Sequence, residues 1–112
     1  MADGNDAGLG LPLVHSGKVR DVYALTPELW LMVASDRISA FDVVMAETVP
    51  AKGAVLTGLT EFWLDMFKDE VPSHLVGTDP AAFGLGGHPE LVGRSMIVRR
   101  AEMLTIECVV RG

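Results

Sequence analysis

The hydrophobic pattern changes period several times along the chain, and each change predicts an element. Over residues 11–35 the pattern is that of strands, with residues 18–25 leaning to β structure. Thr26-Pro27-Glu28 reads as a turn, because proline presets the backbone angle a turn needs. Residues 29–34 are a short, continuous apolar run followed by polar residues. They fit a strand buried on both faces, and a short core helix is the alternative that periodicity leaves open. Residues 35–42 are dense in polar groups between two apolar runs and predict a loop at a strand end.

Farther along, Val55, Leu56, Leu59, Phe62, Trp63, Met66 and Phe67 recur at helical spacing. This predicts a helix over residues 54–70, with the stripe as its core-facing side and Pro72 as its stop. Asp69 and Glu70 then sit at the negative end of the helix dipole. Residues 72–93, rich in Pro and Gly, read as an irregular excursion. Residues 94–100 and 104–111 read as two strands joined around Glu102-Met103. In the second, Glu107 and Arg111 fall on one face, because side chains alternate along a strand.

Strands, one helix, an excursion and strands again make an α+β fold, a mostly antiparallel sheet packed on a helix. Residues 1–10 are expected to be a flexible lead-in and residues 11–112 one β-rich lobe. Ending straight after a strong strand pattern, the chain has the look of a truncated one.

Composition narrows the class. The chain has 112 residues, 49% of them hydrophobic, which suits one small domain or one lobe. A formal net charge of −6 opposes non-specific binding to nucleic acid or an anionic membrane. A single cysteine, Cys108, excludes an intramolecular disulfide and fits a reducing cytoplasm. The first residues lack the basic start and apolar core of a secretory signal, and no apolar run is long enough to span a bilayer.

Several clusters could carry chemistry. Ser16-Gly17-Lys18-Val19-Arg20-Asp21 sets a glycine just before two cations that share one face of a strand. Glycine admits close backbone approach to a ligand, and the cations could neutralise phosphate. Taken alone, the residues are explained more simply by a turn followed by solvated charges. Ser35-Asp36-Arg37-Ile38-Ser39-Ala40-Phe41-Asp42 packs carboxylates, a guanidinium and hydroxyls together. It suits either ligand binding or a loop that satisfies its own backbone. Lys52 near a helix start hints at an anion, with a surface lysine as the alternative. Arg99, Arg100, Glu107 and Arg111 suggest either a ligand site or a structural ion pair. His15, His74 and His88 lack metal-ligand spacing, and Gly84-Leu85-Gly86-Gly87 follows no convincing strand.

Four segments, in order, resemble the SAICAR synthetases: SGKVRDVY at residues 16–23, SDRISAFD at 35–42, PAKGAVLTGLTEFW at 50–63 and GRSMIVRRAEMLTIECVVRG at 93–112. The resemblance covers nearly the whole chain after residue 10 and only the amino-terminal part of the family's pattern. It implies the family's small ATP-binding lobe and an ATP-dependent ligase of purine biosynthesis. That ligase joins carboxyaminoimidazole ribonucleotide (CAIR) to L-aspartate, with Mg²⁺, and releases SAICAR, ADP and phosphate.

By resemblance, Gly17, Lys18, Val19 and Arg20 are the phosphate-covering loop. Val98, Arg99, Ala101 and Met103 belong to the adenine-contacting connection, with backbone groups at the last three reading the base. Glu107 lies near the nucleotide. Arg37, Ser39 and Asp42 lie on the substrate side, and Arg111 binds the phosphorylated imidazole. No metal ligand is expected among these residues, and residues 1–112 alone are expected to be inactive. A kinase-like phosphotransferase would use a similar lobe, but the G-x-G-x-x-G loop and the kinase catalytic-loop motif are absent. A non-enzymatic binding module is the other alternative, expected to fold alone where a truncated lobe would expose an apolar face.

Overall fold

The computed structural model describes residues 9–112. The expected lead-in falls largely on residues 1–8, outside the described residues. Leu9, at its end, packs against the hydrophobic core.

Strands β1 (Leu13–Ser16), β2 (Arg20–Ala24), β3 (Leu29–Ala34), β6 (Leu75–Gly77) and β7 (Ser95–Arg99) form an antiparallel sheet in the order β1-β2-β3-β7-β6. Strands β4 (Arg37–Ala40) and β5 (Val43–Thr48) form a separate antiparallel hairpin. Helix α1 (Lys52–Met66) follows the hairpin and touches β3 and β7. The α+β layout, with its antiparallel sheet and one helix, is that expected from the pattern. No helix of the described residues is long and apolar enough to cross a membrane.

Why β2, β3 and β7 pair follows from their side chains. Tyr23, Leu31 and Ile97 lie opposite one another in the register and so share a face. On that face they meet Leu85 and Leu91 in one buried cluster, in which Leu31 and Ile97 are each 0% exposed. Val22 with Met32, and Trp30 with Val98, are likewise opposed and occupy the other face. The turn at Thr26 is closed by its hydroxyl, which accepts from the Leu29 amide at 3.0 Å.

Four expectations are corrected. Residues 35–42 are not a loop but become β4 and the tip of its hairpin. Phe41 and Asp42 turn the chain there with φ of 51° and 64°, a left-handed pair that matches hairpin twist. Residues 72–93 are more ordered than an irregular excursion. They hold β6 and two 3₁₀ turns (Pro80–Phe83 and Pro89–Leu91), and Leu85 and Leu91 close the core.

The third correction concerns α1, which begins and ends earlier than predicted and does not bury its aromatic stripe. Phe62 is 53% and Trp63 50% exposed, and Val55, Leu59, Met66 and Phe67 are exposed as well. The helix meets the sheet instead through Gly53 and Thr57, one turn apart and both buried. A Cβ at Gly53 would overlap the Ala34 carbonyl, so only glycine lets the backbones come this close. Trp63 packs locally, stacked on Phe67 with centroids 5.9 Å apart.

Fourth, the strand expected over residues 104–111 is not formed. The whole stretch is exposed, and Val110 is 99% exposed. Its alternating pattern needs a neighbouring strand and an apolar face to cover it, and among the described residues no strand pairs with it.

Candidate functional site

The turn between β1 and β2 is the glycine-and-cation segment. Gly17 donates its amide to the Arg20 carbonyl at 2.7 Å, which closes the turn. The Lys18 carbonyl accepts from Arg37 Nε at 3.0 Å, and the Gly17 carbonyl from Arg37 Nη2 at 3.3 Å. The Val19 carbonyl accepts from the Ser35 amide at 2.9 Å and from Ser35 Oγ at 2.8 Å. Arg37 is fixed in turn by Asp21, whose Oδ1 lies 3.2 Å from Nη2 and also accepts from Ser16 Oγ at 2.7 Å. Lys18 Nζ is paired with the Asp42 carboxylate at the hairpin tip, and this ammonium holds the Asp42 carboxyl below its usual range.

Asp36 organises the neighbouring junction. It makes a two-pronged ion pair with Arg94, whose Nη1 lies 2.9 Å from Oδ1. Asp36 also accepts the amides of Gly53 at 2.9 Å and Ala51 at 3.2 Å, and so terminates the free end of α1. The Arg94 hydrogen bond first, then the Gly53 amide, lowers the Asp36 pKa. Arg94 Nη1 also donates to the Ala34 carbonyl at 3.3 Å, which ties the end of β3 to the same junction.

Beside the glycine turn lies a cavity of about 590 Å³. Gly17, Lys18, Val19 and Arg20 line it from one end, and Val98, Arg99, Ala101 and Met103 from another. Val22, Trp30 and Met32 form its apolar wall, and His15 and His74 complete it. Trp30 also borders a second hollow of about 780 Å³, where the Arg100 guanidinium lies 5.7 Å from the indole centroid. A third hollow, of about 550 Å³, lies against α1 and is lined by Glu61, Asp65 and Lys68 among others. Only the first sets cations and a glycine turn beside an apolar wall, a combination suited to a ligand with one charged and one flat apolar end.

The site residues named from the sequence therefore divide. Eight of them meet at one cavity: Gly17, Lys18, Val19, Arg20, Val98, Arg99, Ala101 and Met103. Arg37 and Asp42 do not line it, but both hold the glycine turn from outside. Ser39 is exposed on β4 opposite Val44. Glu107 and Arg111 lie in the exposed terminal stretch, away from the cavity lining. The Arg99 amide already donates to the His74 carbonyl at 2.8 Å, so this group is engaged within the fold. The backbone groups of Ala101 and Met103 have no partner among the described residues.

Sequence reasoning did not single out Val22, Trp30 or Met32. Their shared strand face was the available signal, since alternation sets them opposite the core residues Tyr23 and Leu31. Among the described residues no three His, Cys, Asp or Glu side chains gather into a group that could hold a metal ion.

Fold and cavity together define an α+β lobe with a cleft on one sheet face, bounded by a basic glycine turn. The SAICAR synthetase family model matches residues 13–112, and the chain belongs to that family. It is 57% identical over 105 residues to the phosphoribosylaminoimidazole-succinocarboxamide synthase of Syntrophotalea carbinolica, covering 91% of this chain and 35% of that one. A solved SAICAR synthase from Saccharomyces cerevisiae, complexed with SAICAR, is 37% identical with a TM-score of 0.71, covering 89% of this chain and 35% of that one. A type-2 SAICAR synthetase in complex with ADP shares the fold at 19% identity and a TM-score of 0.63, covering 80% and 34% respectively. The chain thus spans about 35% of the length of the curated relative.

Proposed function

We propose that this chain supplies the nucleotide-binding lobe of an ATP-dependent ligase that joins CAIR to L-aspartate and yields SAICAR, ADP and phosphate. One observation carries the reading: two segments far apart in sequence, residues 17–20 and 98–103, border a single cavity beside an apolar sheet face. Family membership supplies the reaction class.

In this reading Lys18 and Arg20 neutralise the phosphates, while Val22, Trp30, Met32 and Val98 give the base an apolar wall. The unpartnered backbone groups of Ala101 and Met103 are suited to reading its polar edge. Bound ATP would supply the phosphoryl group that turns the imidazole carboxylate into an acyl phosphate, a far better electrophile toward the aspartate amine. The lobe's own contribution is to hold the nucleotide in place and to offset its charge. Glu107 borders the nucleotide, and Ser39 and Arg111 serve the imidazole substrate, as the resemblance implies. Mg²⁺ accompanies the nucleotide, and among the described residues no three His, Cys, Asp or Glu side chains gather to hold it without the phosphates. The reaction takes place in the cytoplasm, among small molecules, without nucleic acid or membrane.

ADP formation by the complete gene-encoded protein, with CAIR and aspartate each supplied and omitted, tests this. ADP is expected only when both are present with Mg²⁺, and residues 1–112 alone are expected to form none. ADP formed without aspartate would point to a phosphotransferase instead and overturn the ligase reading.

A further inference from the structure

The polar motif that becomes β4 holds the glycine turn by nearly every acceptor the turn has. Arg37 takes the carbonyls of Gly17 and Lys18, at 3.3 and 3.0 Å. Ser35 takes the Val19 carbonyl twice, at 2.9 and 2.8 Å. The Arg20 carbonyl is used by the turn itself, through the Gly17 amide at 2.7 Å. The backbone acceptors of residues 17–20 are therefore all engaged, while the amides of Lys18 and Val19 have no acceptor among the described residues. A turn whose carbonyls are tied away while two of its amides stay free favours an anion over a cation, as backbone nests do.

We propose that Arg37 is a positioning residue for the phosphates of the nucleotide. Fixed by Asp21, it orients the backbone of the glycine turn, with Ser35 as its second support. The proposal rests on the nucleotide reading of the cavity, and it replaces the direct substrate contact that the resemblance suggested for Arg37. Arg37 does not itself line the cavity. Its effect passes through two carbonyls, and lysine, lacking the planar fork, can reach only one of them at a time.

The test measures KM for ATP and KM for CAIR separately in the complete gene-encoded protein, alongside direct titration with ATP. Arg37→Met is expected to raise KM for ATP about tenfold, the scale of a lost charge-assisted hydrogen bond, with KM for CAIR within about twofold of wild type. Arg37→Lys should recover part of the loss, and Ser35→Ala should show the same split at smaller size. If Arg37→Met does not fold, Arg37→Lys and Ser35→Ala carry the test with the same split.

A rise in KM for CAIR with KM for ATP unchanged would make Arg37 a substrate ligand and overturn the proposal. Equal rises in both, not relieved by lysine, would reduce it to general support of the fold and overturn it too. If the wild-type protein bound no ATP, the reading of the cavity would fall and this proposal with it. If it bound ATP yet made ADP without CAIR, only the ligase reading would fall, and ATP titration of the same variants would still decide the role of Arg37.

Discussion

In the sheet, Leu31 of β3 and Ile97 of β7 are each 0% exposed, whereas α1 carries its aromatic residues on the outside. Both segments show a clear hydrophobic period. The difference lies in what each meets. Strands β2, β3 and β7 cover one another and receive Leu85 and Leu91 on one face. Helix α1 approaches the sheet through Gly53 and Thr57 and leaves Phe62 and Trp63 half exposed. A hydrophobic period therefore marks a face that favours contact, but the closest packing can fall on small residues that no hydrophobic stripe reveals.

The comparison can be broken or sharpened by substitution. The largest expected effect is in the sheet: Leu31→Ala should lower the unfolding free energy by about 2–5 kcal/mol in urea titration, since it opens a cavity in the core. A loss well under that range would mean that the sheet core is loosely packed. Gly53→Ala should come next, at about 1–3 kcal/mol, because its methyl group forces α1 away from the Ala34 carbonyl. Here circular dichroism should show the helix retained while the melting temperature falls.

Asp36→Asn gives a pH-dependent effect at the same junction. Arg94 and the Gly53 amide hold the Asp36 carboxyl below its ordinary value of 3.8. The ionised form is thus favoured by folding, and its contribution is present above that value and lost as pH falls through the lower folded value. The gap in urea midpoint between wild type and Asp36→Asn should therefore be constant near neutral pH and shrink as the pH drops below 3.8. A gap that widened in acid would contradict the assigned pairing. The smallest expected effect is that of Trp63→Ala in the 112-residue chain, within about 0.5 kcal/mol, as for an exposed side chain with few tertiary contacts. A cost like that of Leu31→Ala would erase the distinction between the two regions.

Much of the fold was legible in the sequence. The pattern predicts the strand over residues 29–34 and the turn at Thr26-Pro27-Glu28, because both signals are local, but not that one strand face stays partly open, with Trp30 and Met32 lining the cavity. The outward face of α1 was not legible, because burial depends on which elements come to pack against a helix. The absent strand over residues 104–111 failed for the same reason, as alternation describes half of a pairing. Residues 35–42 form a hairpin through a left-handed turn at Phe41 and Asp42, neither of them glycine, so the usual turn signature was missing.

For the site, the motif residues at 17–20 and 98–103 could be named in advance, yet only the register of β2, β3 and β7 shows why they share a cavity. Trp30, Met32 and Val22 could have been added from strand alternation once Tyr23 and Leu31 were assigned to the core. The role of Arg37 could not, because nothing local says that its guanidinium reaches back to the carbonyls of Gly17 and Lys18.

Amide hydrogen exchange of the complete gene-encoded protein, with and without ATP, tests the nucleotide reading of the cavity most directly. Slowed exchange at Lys18, Val19, Ala101 and Met103 on adding ATP, with α1 unchanged, is the expected result. Protection that instead maps to the Glu61 and Lys68 side of α1 and leaves the glycine turn unaltered would contradict it.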